Sequence, residues 1–570
     1  MRKRTVWLLS ASLLSSIAAC GDAAESDDEE VTEAREDGVR CDKNPDHPSC
    51  GGTEPVAGTT VYVGTSGLDT NPGTQSSPVR TIQRGVVLAN QLVASGVDAR
   101  VLVAAGTYRE TVTLGSQSGG GRLTIEGAGA TTTFLTGADD ISTGWVSLGD
   151  GTYTHSWTNN WGFKALPSGW SWFWGTSSNP DKDSLRRYEV MFFNGSPLLP
   201  TLDPSRLAPG KFYVDEANDK IRLYPPPAST MSGASIEIGM RNLVLSMVGR
   251  NHVTLKNLTI QRSRGAVQDA MVSVQSSADV VFDGIVVKHA AYNAIGGMGP
   301  GLRIVNSTLT ANGVNAYSDY RTTGLWIENT VISNNNWRAP AVDLYGWDSV
   351  FKIFQGRGAT MKRVSWVNNT GNGLWLDSDN ANIVVENCLM KDNFSKGVSL
   401  EKNQGPITLR NNRICGNGAG LNDAQSDNVT LEGNQIFDNT DFNFAIGGNY
   451  AGQTWTIYDT NQSYTGRTLN WSVTGNTITG SGTGSYATGG GWLFWHTDYN
   501  APGAWATTRD SFRAFDNNTW AHTQKAAPFM LPGGAKSFAQ WKSDLQLADP
   551  TFESHSTYST TSPALSCTLP

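Results

Sequence analysis

The sequence is poor in the residues that build metal sites. Its 570 residues include six Cys and seven His, with no Cys-x-x-Cys pair and no His-Glu-x-x-His motif. Structural zinc sites are assembled from closely spaced Cys and His, and catalytic zinc helices carry the second motif. The sequence therefore predicts no such metal site, and we assign no metal ligands.

Charge is also scarce, and it is unevenly distributed. Charged residues make up 16% of the chain and the net charge is -8, yet residues 21–40 alone hold nine acidic residues against two Arg. The rest of the chain is therefore close to neutral. A surface that binds nucleic acid needs a basic footprint for the phosphate backbone. The composition thus excludes DNA and RNA as partners.

Long apolar runs are absent except at the N-terminus. Arg2–Arg4 precede an apolar stretch over Thr5–Ala19, which is too short to span a membrane as a mature helix. The stretch ends in Ile-Ala-Ala-Cys20, which resembles a bacterial lipobox. This resemblance implies a lipoprotein signal peptide over residues 1–20, with the lipid on Cys20. An ordinary signal peptide with a Cys at the cleavage point is the alternative.

The segment after Cys20 predicts a tether. Residues 21–58 begin with an acidic, unpatterned stretch, which is typical of a disordered linker. Gly21 directly follows the Cys, which resembles outer-membrane sorting in some bacteria. We therefore expect a protein of the bacterial cell envelope that is held in the outer membrane through a lipid.

The other cysteines leave the disulfide pairing open. Cys41 and Cys50 flank a short Pro-containing segment and could close a small loop in an oxidising compartment. Cys388 falls at a core position of a predicted strand, which favours a buried apolar role. The sequence assigns no partners among Cys41, Cys50, Cys388, Cys415 and Cys567.

A short β-type segment recurs through the middle of the chain. Clear copies are HVTLKNLTI (252–260), GLRIVNSTL (301–309), GLWIENTVI (324–332), NIVVENCLM (382–390), PITLRNNRI (406–414) and NVTLEGNQI (428–436), with a looser copy at 359–367. Each alternates apolar and polar residues and then reaches a turn-type residue, which predicts a short strand followed by a corner. The turn positions are spaced by 23, 34, 24, 24 and 22 residues and are Asn306, Asn329, Arg363, Asn387, Asn411 and Gly433.

An Asn stands six residues after each turn position. These residues are Asn312, Asn335, Asn369, Asn393, Asn417 and Asn439. Asn suits turns, and stacked Asn amides would form a ladder along one edge. A period of about 22–24 residues with a strand and an Asn corner is typical of a right-handed parallel β-helix. Leucine-rich repeats share the period but need a Leu frame that is missing. We therefore predict an all-β, right-handed parallel β-helix, which is a solenoid.

The N-terminal part resembles a known family. The run Val61–Gly73 followed by Ser77–Gln83 is similar to the opening of pectate-lyase-like β-helix proteins. In that family a strand and a short amphipathic helix cap the first coil. The resemblance implies a capping helix over Val79–Val93 and a first full strand and turn at Val101–Arg109.

Residues 138–245 break the period and predict a separate β-rich unit. The runs Arg186–Gly195, Pro209–Asp215 and Ile221–Tyr224 are typical of antiparallel hairpins. The unit resembles the β-sandwich inserted into certain β-helix glycoside hydrolases, a group that includes β-xylosidases. The predicted organisation after the tether is an N-terminal cap with the first coils (59–137), an inserted β-rich subdomain (138–245), a β-helix core (246–480), and a C-terminal coil and cap (481–570).

Two core segments share the form N-x-x-x-G-[LV]-x-L-[DE], and they end at Asp377 and Glu401. Both stand ten residues before a turn position, as do Asp319 and Asp423, so all four are predicted to form one column. Neighbouring coils lie about 4.7–4.9 Å apart, close to the roughly 5–5.5 Å between the carboxyl groups of a retaining glycosidase. The β-helix hydrolases that the insert resembles use an Asp nucleophile and a Glu acid/base on neighbouring coils. The resemblance implies Asp377 as nucleophile and Glu401 as general acid/base.

Five further residues are predicted to bind substrate. Trp375 lies two residues before Asp377 and should share its side of the strand, where an aromatic face can stack on a pyranose ring. The alternative for this Trp is a buried position within the coil. Trp337 and Trp347 are further aromatic candidates. The complete prediction for substrate binding is Trp337, Lys352, Trp375, Lys402 and Asp423.

Three functions stay open at this point. The first is a cell-surface retaining glycoside hydrolase that needs no cofactor. The second is a Ca²⁺-assisted uronate polysaccharide lyase, in which basic side chains on or near the same coils would neutralise the uronate carboxylate. The candidates are Arg338, Lys352, Arg357, Lys396 and Lys402. The third is a non-catalytic glycan-binding β-helix, since a column of carboxylates can also bind Ca²⁺ or simply be solvated. In each case the expected partner is a polysaccharide or oligosaccharide, and the chain is expected to be a monomer.

Overall fold

The computed structural model describes residues 59–117, 120–166, 168–169, 177–344, 350–447, 452–485, 488–497 and 502–570. The predicted signal peptide with Cys20, the tether, the Cys41–Cys50 loop and Trp347 lie outside the described residues. No helix in the described ranges is both long and apolar enough to cross a membrane.

Three long sheets, each of 13 strands, wind around one axis. Sheet 1 contains Thr60–Val63, Ala99–Val103, Leu123–Gly127, Val253–Lys256, Val280–Asp283, Leu302–Val305, Trp326–Glu328, Thr360–Lys362, Ile383–Glu386, Ile407–Arg410, Val429–Glu432, Ser472–Thr474 and Ala514–Asp516. Sheet 2 contains Gly106–Arg109, Thr133–Thr136, Thr259–Gln261, Val286–Lys288, Thr308–Thr310, Val331–Ser333, Ser365–Val367, Leu389–Lys391, Arg413–Cys415, Gln435–Phe437, Thr477–Gly480, Thr519–His522 and Thr557–Ser559. Sheet 3 contains Val112–Thr113, Leu245–Val248, Ala270–Gln275, Asn293–Met298, Tyr317–Tyr320, Phe351–Phe354, Leu374–Asp377, Lys396–Glu401, Ala419–Ala424, Phe442–Ile446, Trp492–His496, Phe529–Leu531 and Gly534–Lys536.

The chain passes from sheet 1 to sheet 2 to sheet 3 in each coil, so sequence neighbours lie in different sheets. Within a sheet the strands pair in parallel, except for the last pair of sheet 3, which is antiparallel. Alternate residues of every strand point into the solenoid, and their apolar side chains form one continuous core. The predicted parallel β-helix is confirmed. Its coils extend past residue 480, because all three sheets gain strands from residues 492–559.

The corners between sheets 1 and 2 explain the turn positions of the repeat. The backbone there is left-handed, with φ of 51° at Asn306, 49° at Asn329 and 63° at Gly433. Asn and Gly adopt this conformation at low cost, whereas most residues do not. The recurring turn residue is therefore a backbone requirement of each coil.

The predicted Asn ladder is present and fully buried. Each Nδ2 donates to the Oδ1 of the Asn in the next coil at 2.9–3.0 Å, from Asn312 through to Asn439. The same amides also donate to backbone carbonyls, for example Asn393 to Trp366 O at 3.0 Å. The ladder thus satisfies polar backbone groups that a buried corner would otherwise leave unpaired.

Helices cover the two ends of the solenoid. Helix α1 (Ile82–Ala94) packs on the first coil and begins after Thr81, whose side chain accepts the Arg84 N–H. Helix α2 (Pro502–Arg509) is followed by helix α3 (Phe538–Leu545), which covers the last coils with Trp541. Such caps protect edges that would otherwise present unpaired backbone groups.

The insert forms two small sheets with a core of its own. One sheet contains Ser196–Pro197, Met191–Phe193, Ile236–Gly239 and Ala138–Asp140; the other contains Leu199–Thr201, Lys211–Asp215, Lys220–Tyr224, Tyr153–Ser156 and Val146–Ser147. Their pairing is antiparallel except between Leu199–Thr201 and Lys211–Asp215, which pair in parallel. Trp157, Phe193, Phe212 and other buried side chains lie between the sheets.

Two further features lie on the outside of the solenoid. A hairpin of Gln453–Thr456 and Ser463–Gly466 projects between two coils. The C-terminal segment runs back over sheet 2, where Cys567 forms a disulfide with Cys415. Cys388 is a free thiol and is completely buried, as its core position predicted.

Candidate functional site

The outward-facing residues of sheet 3 form two parallel rows along the solenoid axis. Row 1 is Ser246, Ser273, Gly296, Ser318, Lys352, Trp375, Ser399, Asn422, Ala445 and Trp495. Row 2 is Val248, Gln275, Met298, Tyr320, Phe354, Asp377, Glu401 and Ala424. The predicted catalytic pair and two of its five predicted neighbours, Lys352 and Trp375, therefore share one face.

Asp377 and Glu401 are register partners on adjacent strands of row 2. Gly is needed in their shared motif because a larger side chain does not fit there. A Cβ on Gly373 would lie 3.1 Å from Nδ2 of Asn393, and a Cβ on Gly397 would lie 2.9 Å from Nδ2 of Asn417. The corner beside the Asn ladder therefore leaves no room for a side chain, and the strand that follows starts in the same way in both coils.

Asp377 is only 8% exposed, and each of its two carboxylate oxygens has a close neighbour. Lys352 Nζ lies 2.7 Å from Asp377 Oδ2. The hydroxyl of Ser378 donates to Asp377 Oδ1 at 2.9 Å. Both carboxylate oxygens are thus fixed by a donor, which sets the direction of the side chain.

Trp375 shares the outer face with the pair, as predicted. It is half-buried, and Lys352 Nζ lies 3.9 Å from the centre of its ring. This is within the range of a cation–π contact. The same ammonium therefore joins Trp375 to Asp377, and it covers one face of the indole ring.

Glu401 is more open than Asp377 and is surrounded by basic side chains. Lys402 Nζ lies 3.2 Å from Glu401 Oε1, and the Glu401 side chain is 31% exposed. Lys396 begins the same strand, and burial lowers the pKa of its ammonium while the charge of Glu401 partly offsets that effect. The predicted Lys352 and Lys402 thus each contact one of the two carboxylates.

The predicted place of Asp423 in this column is wrong. Its coil is one residue shorter, so Ala424 pairs with Glu401, and Asp423 pairs with Leu400 and points inward. There it accepts the Ser426 N–H at 3.0 Å and the Thr468 hydroxyl at 2.8 Å, and burial raises its pKa well above the usual range. A buried side chain of this kind does not contact a substrate on the outer face.

Asp319 is shifted inward in the same way. It pairs with Ile353 of the next strand, so it faces the core, and the Tyr317 hydroxyl donates to its Oδ2. Burial raises the pKa of Asp319 to about 6. Of the four predicted carboxylates, the outer face therefore holds only Asp377 and Glu401.

Trp337 also lies away from the pair. Its ring packs against Val190, Phe192 and Ala291, and its indole N–H donates to Ala311 O at 3.2 Å. The ring thus helps to seat the insert on the solenoid. The prediction failed because this packing depends on a segment about 150 residues earlier in the chain.

On coils near the site lies a cluster of aromatic and charged side chains, of which the sequence pointed only to Arg357. The guanidinium of Arg321 lies between the rings of Tyr320 and Tyr458, at 4.7 and 4.8 Å from their centres. The guanidinium of Arg357 lies 4.5 Å from the centre of the Tyr458 ring, and Arg357 forms an ion pair with Asp459 at 2.7 Å. These contacts join the 453–466 hairpin to coils that lie about 100 residues earlier in the sequence. A local sequence pattern cannot predict contacts over such a separation.

No group of three or more His, Cys, Asp or Glu side chains that could hold a metal ion occurs in the described part of the chain. At the site itself each carboxylate has a lysine at salt-bridge distance. The arrangement is one of two carboxylates with ammonium partners beside an aromatic ring. It can supply a nucleophile, a proton donor and a surface for a sugar.

Comparisons with known proteins agree with the fold. The family described as "Right handed beta helix region" matches residues 243–436, about a third of the chain. No curated protein matches the sequence. A solved structure of XylC with xylose is 14% identical and has a TM-score of 0.62, covering 88% of this chain and 86% of that chain.

Two other solved structures are similar over most of the chain. The A-module of mannuronan C-5 epimerase AlgE6 from Azotobacter vinelandii is 17% identical, with a TM-score of 0.46 and coverage of 85% and 94%. A glycoside hydrolase is 10% identical, with a TM-score of 0.43 and coverage of 82% and 96%. At 14% identity the likeness to XylC shows the fold and leaves the reaction open. The chain is thus a right-handed parallel β-helix protein.

Proposed function

We propose that the protein is a retaining glycoside hydrolase, with Asp377 as nucleophile and Glu401 as general acid/base. The observation that carries this proposal is the register of the two residues on adjacent strands of the outer face. Adjacent parallel strands are about 4.8 Å apart, and retaining glycosidases place their two carboxyl groups about 5–5.5 Å apart. An inverting enzyme needs a wider gap for a water molecule.

The first half of the reaction forms a glycosyl ester. Asp377 attacks the anomeric carbon while Glu401 gives its proton to the glycosidic oxygen, so the glycosidic bond breaks and the leaving sugar departs as an alcohol. Lys352 and Ser378 hold the Asp377 carboxylate in place for this attack. Lys402 stabilises the Glu401 carboxylate that remains.

The second half restores the enzyme. The Glu401 carboxylate takes a proton from water as the water oxygen attacks the anomeric carbon, and the bond to Asp377 breaks. The sugar is released as a hemiacetal with its original anomeric configuration. Asp377 ends ionised and Glu401 protonated, so no cofactor is consumed.

A glycan panel digested by the full chain tests the proposal. Asp377→Asn and Glu401→Gln should each lower kcat by about 10²–10⁴-fold, because each removes one of the two chemical roles. Glu432→Gln, an exposed carboxylate on the outer face of sheet 1, serves as the matched control and should leave activity unchanged. With Glu401→Ala, added azide should restore turnover and yield a glycosyl azide.

Other products would point to other reactions. Unsaturated uronates that absorb in the ultraviolet would identify a lyase, in which Lys352 and Lys402 act on the uronate carboxylate. Glycan binding without turnover by a folded protein would favour a binding module. Full activity of both carboxylate variants would reject the proposed pair.

We further propose that Cys20 carries a lipid that holds the protein in the bacterial outer membrane, and that the protein works as a monomer. The apolar stretch before Cys20 and the acidic segment after it support the anchor. Two experiments test the anchor. Mass spectrometry of the wild-type N-terminal peptide should detect the lipid, and cell fractionation should compare the wild type with Cys20→Ser. The variant should lose the lipid and leave the membrane fraction; an unmodified, secreted wild-type chain would contradict the anchor.

A further inference from the structure

The corner that follows Asp377 contains one residue more than the corners beside it. Each of these corners, which lead from sheet 3 to sheet 1, has a buried residue whose backbone N–H donates to the matching side chain of the next coil. These buried residues are Gly356, Asn380 and Asn403. In the two coils that flank Asp377, a single residue separates row 2 from this position. In the Asp377 coil two residues do, Ser378 and Asp379.

Both of these residues have a left-handed backbone, with φ of 48° at Ser378 and 58° at Asp379. The flanking coils have one such residue at this place, Gln355 in one and Lys402 in the other. A residue with a Cβ adopts this conformation at a cost, and two in succession persist only where the surroundings fix them. The pair is therefore a bulge that other parts of the molecule must hold in place, and we call it the Ser378–Asp379 bulge.

The side chain of Asp379 connects the bulge to three separate segments. It is completely buried, at 0% exposure. Its carboxylate accepts from Arg357 Nη2 at 3.1 Å, from Gln404 Nε2 at 3.0 Å and from the backbone N–H of Tyr458 at 3.1 Å. Arg357 also donates to the backbone carbonyl of Asp379. Hydrogen bonds to a charged acceptor are stronger than those between neutral groups. The previous coil, the next coil and the 453–466 hairpin thus all hold Asp379.

The tip of the hairpin binds Arg357 as well as Asp379. Asp459 lies 2.7 Å from Arg357 Nε, and the guanidinium lies 4.5 Å from the centre of the Tyr458 ring. The hairpin leaves the solenoid three coils after Asp377, since it follows the strand Phe442–Ile446. A segment from a distant coil is therefore fixed against the residue that lies two positions after Asp377.

The bulge reaches the carboxylate pair through Ser378. The Ser378 hydroxyl donates to Asp377 Oδ1 at 2.9 Å, and the Ser378 N–H donates to Glu401 O at 2.7 Å. Bulges in sheets are frequent next to active sites, where the extra residue changes the direction of a side chain. A shift of this bulge would move the hydroxyl that holds Asp377 and turn the carboxylate away from Lys352.

We propose that Asp379 is a positioning residue of the site. Together with Arg357 and the tip of the hairpin, it holds the Ser378–Asp379 bulge and so sets the direction from which Asp377 meets the anomeric carbon. Misplacement of a reacting group by about 1 Å can cost about 10²-fold in rate. The inference rests on the proposed hydrolase for its kinetic readout, and it adds a buried residue that acts through the nucleophile without touching the substrate.

Steady-state kinetics of the full chain test this role, with 4-nitrophenyl glycosides of xylose, glucose, galactose and galacturonic acid as probes. Asp379→Ala should lower kcat about tenfold or more while KM changes less than about threefold, because Asp377 is misdirected and the contacts to the sugar remain. Asp427→Ala is the matched control, since Asp427 is also buried and accepts three hydrogen bonds at the base of the same hairpin. It should lose a comparable amount of stability and keep the wild-type kcat.

A better leaving group separates a defect of the nucleophile from a defect of the acid. A 2,4-dinitrophenyl glycoside needs little protonation, so kcat/KM of Glu401→Gln should recover with it. The kcat/KM of Asp379→Ala should stay low, because that defect lies at Asp377. Asp379→Asn keeps the shape and one acceptor oxygen of the side chain. It should fold even if the alanine variant does not, with a kcat between the wild type and Asp379→Ala.

Crystal structures of the variants give a readout that needs no turnover. In Asp379→Ala and Asp379→Asn the Asp377 carboxylate should move away from Lys352 and Ser378, while the strands of sheet 3 superpose on those of the wild type. An unchanged kcat in Asp379→Ala, or an equal loss in Asp427→Ala, would overturn the positioning role and leave the catalytic pair intact. If the wild type cleaves no glycoside, the structures decide alone: a displaced Asp377 supports the role of Asp379 without the hydrolase, and an unmoved Asp377 rejects it.

Discussion

At the scale of single residues, Glu553 couples the stability of the last coils to pH. Its side chain is completely buried, and it accepts the indole N–H groups of Trp520 at 3.1 Å and Trp541 at 3.3 Å. Burial raises the pKa of Glu553 from 4.5 to about 7. The folded protein therefore binds this proton more tightly than the unfolded chain does.

The stability contributed by this group is fully present below pH 4.5 and is lost as the pH rises through about 7. The raised pKa corresponds to a loss of about 3 kcal/mol across that range. Glu553→Gln cannot titrate, so denaturant unfolding at several pH values should show a smaller decline in the variant. Glu432→Gln, which is exposed, should follow the wild type. Equal declines in wild type and Glu553→Gln would contradict this account.

Lys352 should matter to catalysis through the position of Asp377. It contacts both the Asp377 carboxylate and the ring of Trp375. Lys352→Met should lower kcat about tenfold or more while KM changes less, because the nucleophile loses a fixed counter-charge. Steady-state kinetics checks this, with Lys256→Met on the outer face of sheet 1 as control. An unchanged kcat would show that Ser378 alone suffices to hold the carboxylate.

At the scale of structural elements, the Asn ladder should dominate the stability of the corners. Asn393 donates to Asn417 and to Trp366 O, and it accepts from the backbone and side chain of Asn369. Asn393→Ala leaves several of these buried groups unpaired, so the free energy of unfolding should fall by about 3 kcal/mol or more. Asn411→Ala changes an exposed left-handed corner and should cost only about 1 kcal/mol. Chemical denaturation distinguishes the two, and equal losses would contradict the ladder's role.

The repeated elements were the part of the fold that the sequence could predict. Turn positions such as Asn387 and ladder positions such as Asn393 recur with the period, because each coil must meet the same backbone requirement. A second ladder of Asn412, Asn434, Asn476 and Asn518 was missed. The sequence pattern could have predicted this ladder, since Asn412 and Asn434 each directly follow a turn position.

Counting residues placed side chains on the correct face where two coils were identical in length, and on the wrong face where the coils differed. Asp377 and Glu401 share one motif, so a count of residues placed both on the outer face. Asp423 follows a coil that is one residue shorter, and the alternation of a strand turns such a slip into a change of face. Trp337 depends on the docking of the insert, which no periodicity encodes.

At the scale of the whole molecule, the three outer faces of the solenoid have different characters. Sheet 1 carries charges of alternating sign on successive strands, namely Glu328, Lys362, Glu386, Arg410 and Glu432. Sheet 2 is partly covered by the C-terminal segment. Sheet 3 carries the carboxylates Asp377 and Glu401 beside Trp375 on its outer face. The proposed chemistry thus lies on the face where Asp377 and Glu401 stand beside Trp375.

The disulfide between Cys415 and Cys567 holds the C-terminal segment against sheet 2. Leu565 and Cys567 pack on Leu389 and Phe437, and Arg413 donates to Thr568 O at 2.9 Å. The bond closes a loop of 152 residues, and loss of such a link typically costs about 2–4 kcal/mol.

The double variant Cys415→Ser/Cys567→Ser should therefore unfold at a lower temperature, and its C-terminal amides should exchange hydrogen faster than those of the wild type. Hydrolysis should be unaffected, because the candidate site lies on sheet 3. A reductant should give the wild type the same shift and the double variant none beyond it, which separates this bond from any other cysteine pair. Unchanged exchange in the C-terminal segment would mean that packing on Phe437 and Leu389 holds the segment without the covalent link.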